Sequence, residues 1–268
     1  MKLAFISDIH ANLPALEAVL EDIKKQHPDD IYCLGDLVNF GCRDNEVIDL
    51  IRSLGITCVQ GNHDEGIGYA QHNFGYSFST EAQRRFGIES IKYVNRTITD
   101  LNRQFLKSLP FSIGLEFRFP FHKIRLAMVH GSPISNRDYV LEDTPDEQLL
   151  EMLEEIQTDI LILGHTHRPF HRALFHEEEN NKMYAHVINA GSVGKPKQGN
   201  NHACYVVLDI DNQTSLSDPA AFRAHFHYMP YDTEKVIDQI HASGLGDAYD
   251  DFLHSGETRQ PFSRHKNF

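Results

Sequence analysis

Three short apolar runs near the amino terminus, Lys2–Ile6, Asp30–Leu34 and Ile56–Gln60, alternate with two stretches of helical periodicity. This order constrains the fold more than any other feature of the chain. In the first helical stretch, Leu13, Leu16, Val19, Leu20 and Ile23 fall on one face. Val47, Ile48, Leu50, Ile51 and Leu54 form the second stripe, which Gly55 stops. A strand–helix–strand–helix–strand order predicts parallel strands with right-handed crossovers. Ligands of such sheets bind beyond the carboxyl ends of the strands. Those ends carry Ser7-Asp8-Ile9-His10, Gly35-Asp36 and Gly61-Asn62-His63-Asp64. Asp8 and His10 are two residues apart, so an extended backbone points both to the same side.

Residues 65–110 break the rhythm and read as a helical insertion beside the cluster end of the sheet. Thr80 to Lys107 has helical character with Gly87 as its expected interruption, and Tyr69, Phe74, Tyr76 and Phe78 before it read as local packing. Strands resume at Ile113–Phe119 and at Ile124–Val129, the latter ending in His130-Gly131. A helix over Pro145–Glu155 leads to a strand, Asp159–Leu163, that ends in Gly164-His165-Thr166-His167. Further strands are expected at Phe170–Phe175, Met183–Ile188, Ala203–Ile210 and Ala224–Tyr228, then a helix from Asp232 to His241. The remainder, residues 245–268, reads as a polar tail that packs little, and residues 1–268 as one domain.

Charge narrows the function. The formal net charge is −13, from 25 Lys+Arg against 38 Asp+Glu, and no basic cluster offers the face that a nucleic-acid polymer needs. A small anionic substrate remains compatible, because metal ions supply positive charge locally. No apolar run reaches the roughly 20 residues of a membrane span, and strand and motif begin where a signal peptide would lie. Cys33, Cys42, Cys58 and Cys204 show no paired spacing, so free thiols and a reducing cytoplasm are expected.

Five strand ends therefore carry, in order, Asp8/His10, Asp36, Asn62/His63, His130 and His165/His167. Two carboxylates, four metal-competent histidines and an amide, with no thiolate, suit Mn, Fe, Zn, Ni or Co. They exceed what one ion needs and match two divalent ions sharing a carboxylate, a recurring device for phosphoryl chemistry. Manganese is the favoured ion.

This series of motifs resembles the calcineurin-like metallophosphoesterase superfamily, and Asn189-Ala190-Gly191-Ser192-Val193-Gly194 is similar to the segment that follows in bacterial members. Gly35–Gly41 followed by Asn45-Glu46-Val47-Ile48 is similar to compact bacterial and archaeal phosphoesterases. The resemblance implies an α/β fold, a four-layer α-β-β-α sandwich of two mixed sheets. It implies that Asp8, His10 and His167 hold one ion, that Asn62, His130 and His165 hold the other, and that Asp36 bridges them. It also implies that a water between the ions attacks phosphorus in line. Asn62 and His63 would contact substrate, with His63 donating a proton or stabilising the transition state. Asp64 either orients the His63 imidazole as part of the catalytic pair or caps the next helix. Protein phosphatases of the superfamily carry arginine where this chain has Phe40. That disfavours their branch and leaves Phe40 as a stacking surface for substrate or a core contact, and Arg43 as a substitute phosphate ligand or a solvated loop residue. The expected activity is hydrolysis of a small, nucleotide-like phosphomono- or phosphodiester. Asymmetric cleavage of a dinucleoside polyphosphate is the alternative, and a non-catalytic metal-binding scaffold a third reading. Monomer and homo-oligomer both remain open.

Overall fold

The computed structural model describes residues 1–72, 74, 81–120, 122–178, 181–247 and 249–256. Two five-stranded mixed sheets pack face to face. The first uses β1 (Lys2–Ile6), β2 (Asp30–Cys33), β3 (Thr57–Cys58), β9 (Ala203–Asp209) and β10 (Ala224–Met229), in the order β10-β9-β1-β2-β3. The second uses β4 (Ser112–Arg118), β5 (Lys123–Val129), β6 (Ile160–Leu163), β7 (Phe170–Glu178) and β8 (Asn181–Asn189), in the order β4-β5-β6-β8-β7. The expected parallel pairing holds for β1, β2 and β3, and again for β5, β6 and β8. Antiparallel β9 and β10 extend the first sheet, and antiparallel β4 and β7 edge the second.

The strand period of two builds the layers. Leu3 and Phe5 of β1 face the second sheet, where they join Leu126, Met128, Ile160, Ile162 and Ile188 in an inter-sheet core. Ala4 and Ile6 face the other way, onto α1 (Leu13–Gln26) and α2 (Asp44–Ser53), through Leu16, Val19, Ile23, Val47, Ile48 and Ile51. Leu161, Leu163 and Val187 of the second sheet receive Leu149 and Leu153 of α6 (Asp146–Glu155). Helix, sheet, sheet and helix are therefore the layers, as expected.

The insertion comprises α3 (Asn62–Gly68), α4 (Glu81–Thr97) and α5 (Asp100–Ser108). The expected break falls at Thr99, not Gly87. The Thr99 hydroxyl accepts the Asn102 N–H at 3.2 Å and starts a new helix, whereas Gly87 sits inside α4. Phe74 is buried, as local packing requires, and Tyr69 is exposed, whereas Tyr76 and Phe78 lie outside the described residues. The tail corrects a second expectation. After α7 (Thr233–Ser243), a short α8 (Asp250–Ser255) buries Tyr249, Phe252 and Leu253 against Phe40 and Phe86. Composition counted the polar majority of this segment and missed three apolar side chains on one face.

Away from the strand-end clusters, β7 and β8 pair a half-buried His171 with a buried His186. His171 Nε2 lies 3.0 Å from His186 Nδ1, and the Phe222 ring packs on His186. Burial, then the neighbouring His171, push His186 down from the ordinary 6.5 to about 3. A group so depressed binds a proton in the unfolded chain before it does in the folded one. Its stabilising share is therefore complete above pH 6.5 and is lost as pH falls toward about 3. The slope approaches about 1.4 kcal/mol per pH unit. His186→Leu is expected to flatten the fall in Tm between neutral and acid pH; melting curves in which both chains respond equally would refute this.

Candidate metal centre

Each sequence-predicted ligand stands just past a strand end, and most do so in an uncommon backbone state. Asp8, His10, Asp36, His165 and His167 all have positive φ, between 48° and 63°. That left-handed region is costly for residues with a Cβ and persists where surrounding contacts impose it. The chain thus turns sharply at the candidate ligand itself. Close approach is needed too. A Cβ on Gly61 would lie 2.2 Å from Asp36 Oδ1, and one on Gly164 would lie 2.0 Å from Ser7 Oγ. Glycine at these positions lets neighbouring strand ends converge.

The donors meet in one buried centre. Among the described residues, Asp8/His10/His167, His10/Asp36/His63 and Asp36/His130/His165 form triads whose ligating atoms lie within 4.8 Å of one another. Asp36 belongs to two of them. Its Oδ1 accepts the His63 N–H at 2.9 Å, which leaves Oδ2 facing His130 Nε2 at 3.3 Å, His10 Nε2 at 3.7 Å and His63 Nε2 at 4.0 Å. Asp8 is held the same way. Its Oδ2 accepts from Ser7 Oγ at 2.6 Å and from the His165 N–H at 2.9 Å. Asn62 turns its amide oxygen to within 3.1 Å of His130 Nε2.

Backbone carbonyls fix the ring orientations. His10, His130 and His167 place Nδ1 on the carbonyls of Val38, Leu34 and Lys195, at 3.2, 2.7 and 2.5 Å. A carbonyl only accepts, so each Nδ1 carries hydrogen and Nε2 faces the centre. His165 is reversed. Its Nε2 lies 3.2 Å from the Arg137 carbonyl, which leaves Nδ1 as the atom that could meet an ion.

These donors fit cations. His10 Nε2 and His167 Nε2 stand 3.2 Å apart, and Asp8 Oδ1, buried with no hydrogen-bond partner, is 3.2 Å from the latter. Two bare nitrogens and a bare carboxylate oxygen in a dry site repel one another unless positive charge lies between them. Burial holds His10 and His167 well below their usual pKa, so protons do not supply that charge. Burial likewise lowers His165 to about 3 and His63 to about 4, the latter against the pull of Asp36. His130 behaves differently: burial opposes its charge, yet Asp36 raises it to about 10. In return His130, then His63, keep Asp36 well below the carboxylate range against its own burial.

The structure corrects the reading of Asp64 as the group that orients the imidazole. Its carboxylate accepts the N–H groups of Asp36, Leu37 and Gly61 at 2.7, 2.9 and 3.0 Å. It caps α3 and clamps the Asp36 turn, and burial, then Asp36, push it up to about 7. His63 Nδ1 faces Asn39 Nδ2 instead, at 2.8 Å, and Ser90 of α4 donates to Asn39 Oδ1. Asn39 and Ser7 sit in strand-end motifs, where the sequence assigns neither a role, and nothing in the sequence points to Ser90. The Phe40 ring lies 5.0 Å from His10 and 5.1 Å from His63, in the wall of the site. The guanidinium of Arg43 pairs with Glu46 at 2.9 Å on the exposed start of α2, so the loop-residue reading describes it better than the phosphate-binding one. Arg137 pairs with Glu65 at 2.6 Å.

The model of the calcineurin-like phosphoesterase superfamily domain matches residues 1–213. An uncharacterized protein of Methanocaldococcus jannaschii is 32% identical over 249 residues, spanning 89% of this chain and 91% of that relative. Phosphodiesterase YfcE of Escherichia coli K12 is 28% identical over 211 residues, spanning 79% of this chain and 89% of YfcE. The crystal structure of a metallophosphoesterase from Sphaerobacter thermophilus aligns with a TM-score of 0.70 at 27% identity, covering 96% of this chain and 100% of that one. With strand-end donors fit for cations and a matched family that spans the whole donor set, the chain belongs to the calcineurin-like phosphoesterase superfamily and is a phosphoric ester hydrolase by class.

Proposed function

We propose that the chain hydrolyses a small phosphodiester at a centre of two divalent ions. The observation that carries this reading is Asp36 Oδ2, which faces both histidine sets from one buried position. Asp8, His10 and His167 would hold one ion, Asn62, His130 and His165 the other, with Asp36 shared. When bound, two such ions polarise phosphoryl oxygens and activate water at neutral pH. We favour manganese because carboxylate and amide oxygens accompany the imidazoles and thiolates are absent. Around them, the protein orients every ligating ring through a carbonyl and excludes solvent, since each donor is nearly fully buried. His63 faces the same space and is placed to meet an oxygen of the substrate phosphate. The diester preference is drawn from YfcE, a phosphodiesterase by name. The net charge of −13 supports a small substrate over a nucleic-acid polymer.

Elemental analysis with turnover of bis-p-nitrophenyl phosphate and p-nitrophenyl phosphate in Mn²⁺ tests the reading. Two ions per chain and faster diester turnover are expected. His63→Ala should keep both ions and lose kcat by about 100-fold. Absence of metal, with neither ester cleaved in Mn²⁺, Ni²⁺, Co²⁺ or Zn²⁺, would leave the scaffold reading in its place.

A further inference from the structure

Nothing in the strand-end motifs explains why the insertion packs a serine of α4 against the loop that follows Asp36. Ser90 and Asn39 are fully buried, and the two side chains touch. The Phe40 N–H donates to Ser90 Oγ at 2.7 Å. The Ser90 hydroxyl in turn donates to Asn39 Oδ1. With its oxygen so engaged, Asn39 turns its amide N–H to His63 Nδ1, at 2.8 Å. The Asn39 backbone is pinned as well, with φ at 75° and its N–H on Asp44 Oδ1 at 2.8 Å. The His63 ring is packed between Phe40 and Phe74, with centroids at 5.1 and 5.5 Å.

We propose that Ser90 and Asn39 are positioning residues that hold His63 as the neutral tautomer with its hydrogen on Nε2, so that the ring donates a hydrogen bond to a substrate oxygen. The polarity of the chain carries this. Asn39 turns its amide oxygen to the Ser90 hydroxyl, which donates to it, and its NH₂ to Nδ1, where an amide nitrogen can only donate. A donor facing Nδ1 requires a bare lone pair there, and a neutral ring then keeps its hydrogen on Nε2. Nε2 is the atom that faces Asp36 Oδ2. Reversing the tautomer would set two hydrogens against each other in a dry site, or force the amide to turn and the Ser90 hydroxyl to give up the bond it donates to Asn39.

The inference rests on the proposed phosphoester hydrolysis and narrows its substrate class. A neutral imidazole N–H stabilises developing charge without surrendering its proton. The attacking water gives one proton to solvent as its oxygen bonds to phosphorus, and as the P–O bond breaks the electron pair departs on the leaving oxygen. That oxygen is held by the Nε2 hydrogen and takes a proton later from solvent. Phosphoanhydrides and aryl esters, whose leaving oxygens need no proton, are favoured over alkyl esters.

The test is the tautomer itself. In Zn²⁺-loaded protein with ¹⁵N-labelled imidazoles, long-range ¹H–¹⁵N spectra separate protonated from bare ring nitrogens, and His63→Gln assigns the signals of this ring. Wild type is expected to show a bare Nδ1 and a protonated Nε2. In Asn39→Asp, a carboxylate accepts from Nδ1 and the pattern should reverse. The kcat for bis-p-nitrophenyl phosphate should then fall about 100-fold while KM stays within about two-fold. Ser90→Ala should mix the two patterns and lower kcat about ten-fold. Hydrogen on Nδ1 in the wild type would overturn the proposal, and so would a reversed Asn39→Asp pattern with unchanged kcat. The wild-type spectrum needs no variant to fold and no turnover. A chain inactive on every ester would therefore end the hydrolytic reading while the tautomer was still assigned.

Discussion

Asp36→Asn is expected to lower phosphodiester turnover about 1000-fold, roughly 4 kcal/mol of barrier, and to reduce bound metal from two ions to one or none. The substitution preserves shape and changes two things at once. It removes the charge that His130, His10 and His63 surround at 3.3, 3.7 and 4.0 Å. It also places an NH₂ group in one of two wrong positions. If the amide oxygen keeps the His63 N–H, bonded by Asp36 Oδ1 at 2.9 Å, the NH₂ faces the imidazoles that should share a cation. If the amide turns, the NH₂ confronts the His63 N–H. The first orientation loses the shared oxygen, and the second keeps only a neutral oxygen there and breaks the His63 N–H bond. Elemental analysis beside kcat/KM reads both consequences, and retention of two ions with activity within about ten-fold of wild type would remove Asp36 from its shared position.

Asp64→Ala separates two roles that the motif alone leaves entangled. The carboxylate receives three backbone N–H groups, from Asp36, Leu37 and Gly61. Deleting it strands these donors in a buried turn, at a cost of about 3 kcal/mol or more. A Tm lowered by about 10 °C is expected, together with weaker metal retention, because the Asp36 turn is what the clamp holds. Asp64→Asn keeps one accepting oxygen and should fall between the two. Calorimetry and metal content decide the matter. A normal Tm and full metal with kcat alone reduced would mean that Asp64 serves the imidazole after all.

Much of this molecule was legible in the chain because two periodicities and their interruptions are local properties. Strand runs that stop at Asp8, Asp36, Asn62, His130 and His165 reveal the carboxyl ends of parallel strands. Two packed sheets that carry polar residues at those ends then bring the donors together. Even the helix break at Thr99 was readable in principle, since threonine accepts a free N–H in the first turn of a new helix. The packing of Tyr249, Phe252 and Leu253 against Phe40 was not, because composition cannot say which face of a short polar segment meets an apolar wall.

By itself, then, the sequence determined the layered α/β architecture, the candidate donors and the strand ends at which they meet. Which atom of each donor points inward was decided by tertiary structure alone. His165 offers Nδ1 because the Arg137 carbonyl takes its Nε2, and His63 answers to Asn39 rather than to its neighbour Asp64. Ser90 reaches that network from 51 residues beyond Asn39. Hydrogen-bond direction depends on which donors and acceptors are brought within 3 Å or so of one another. Only the packing of the insertion against the strand-end loops brings these together.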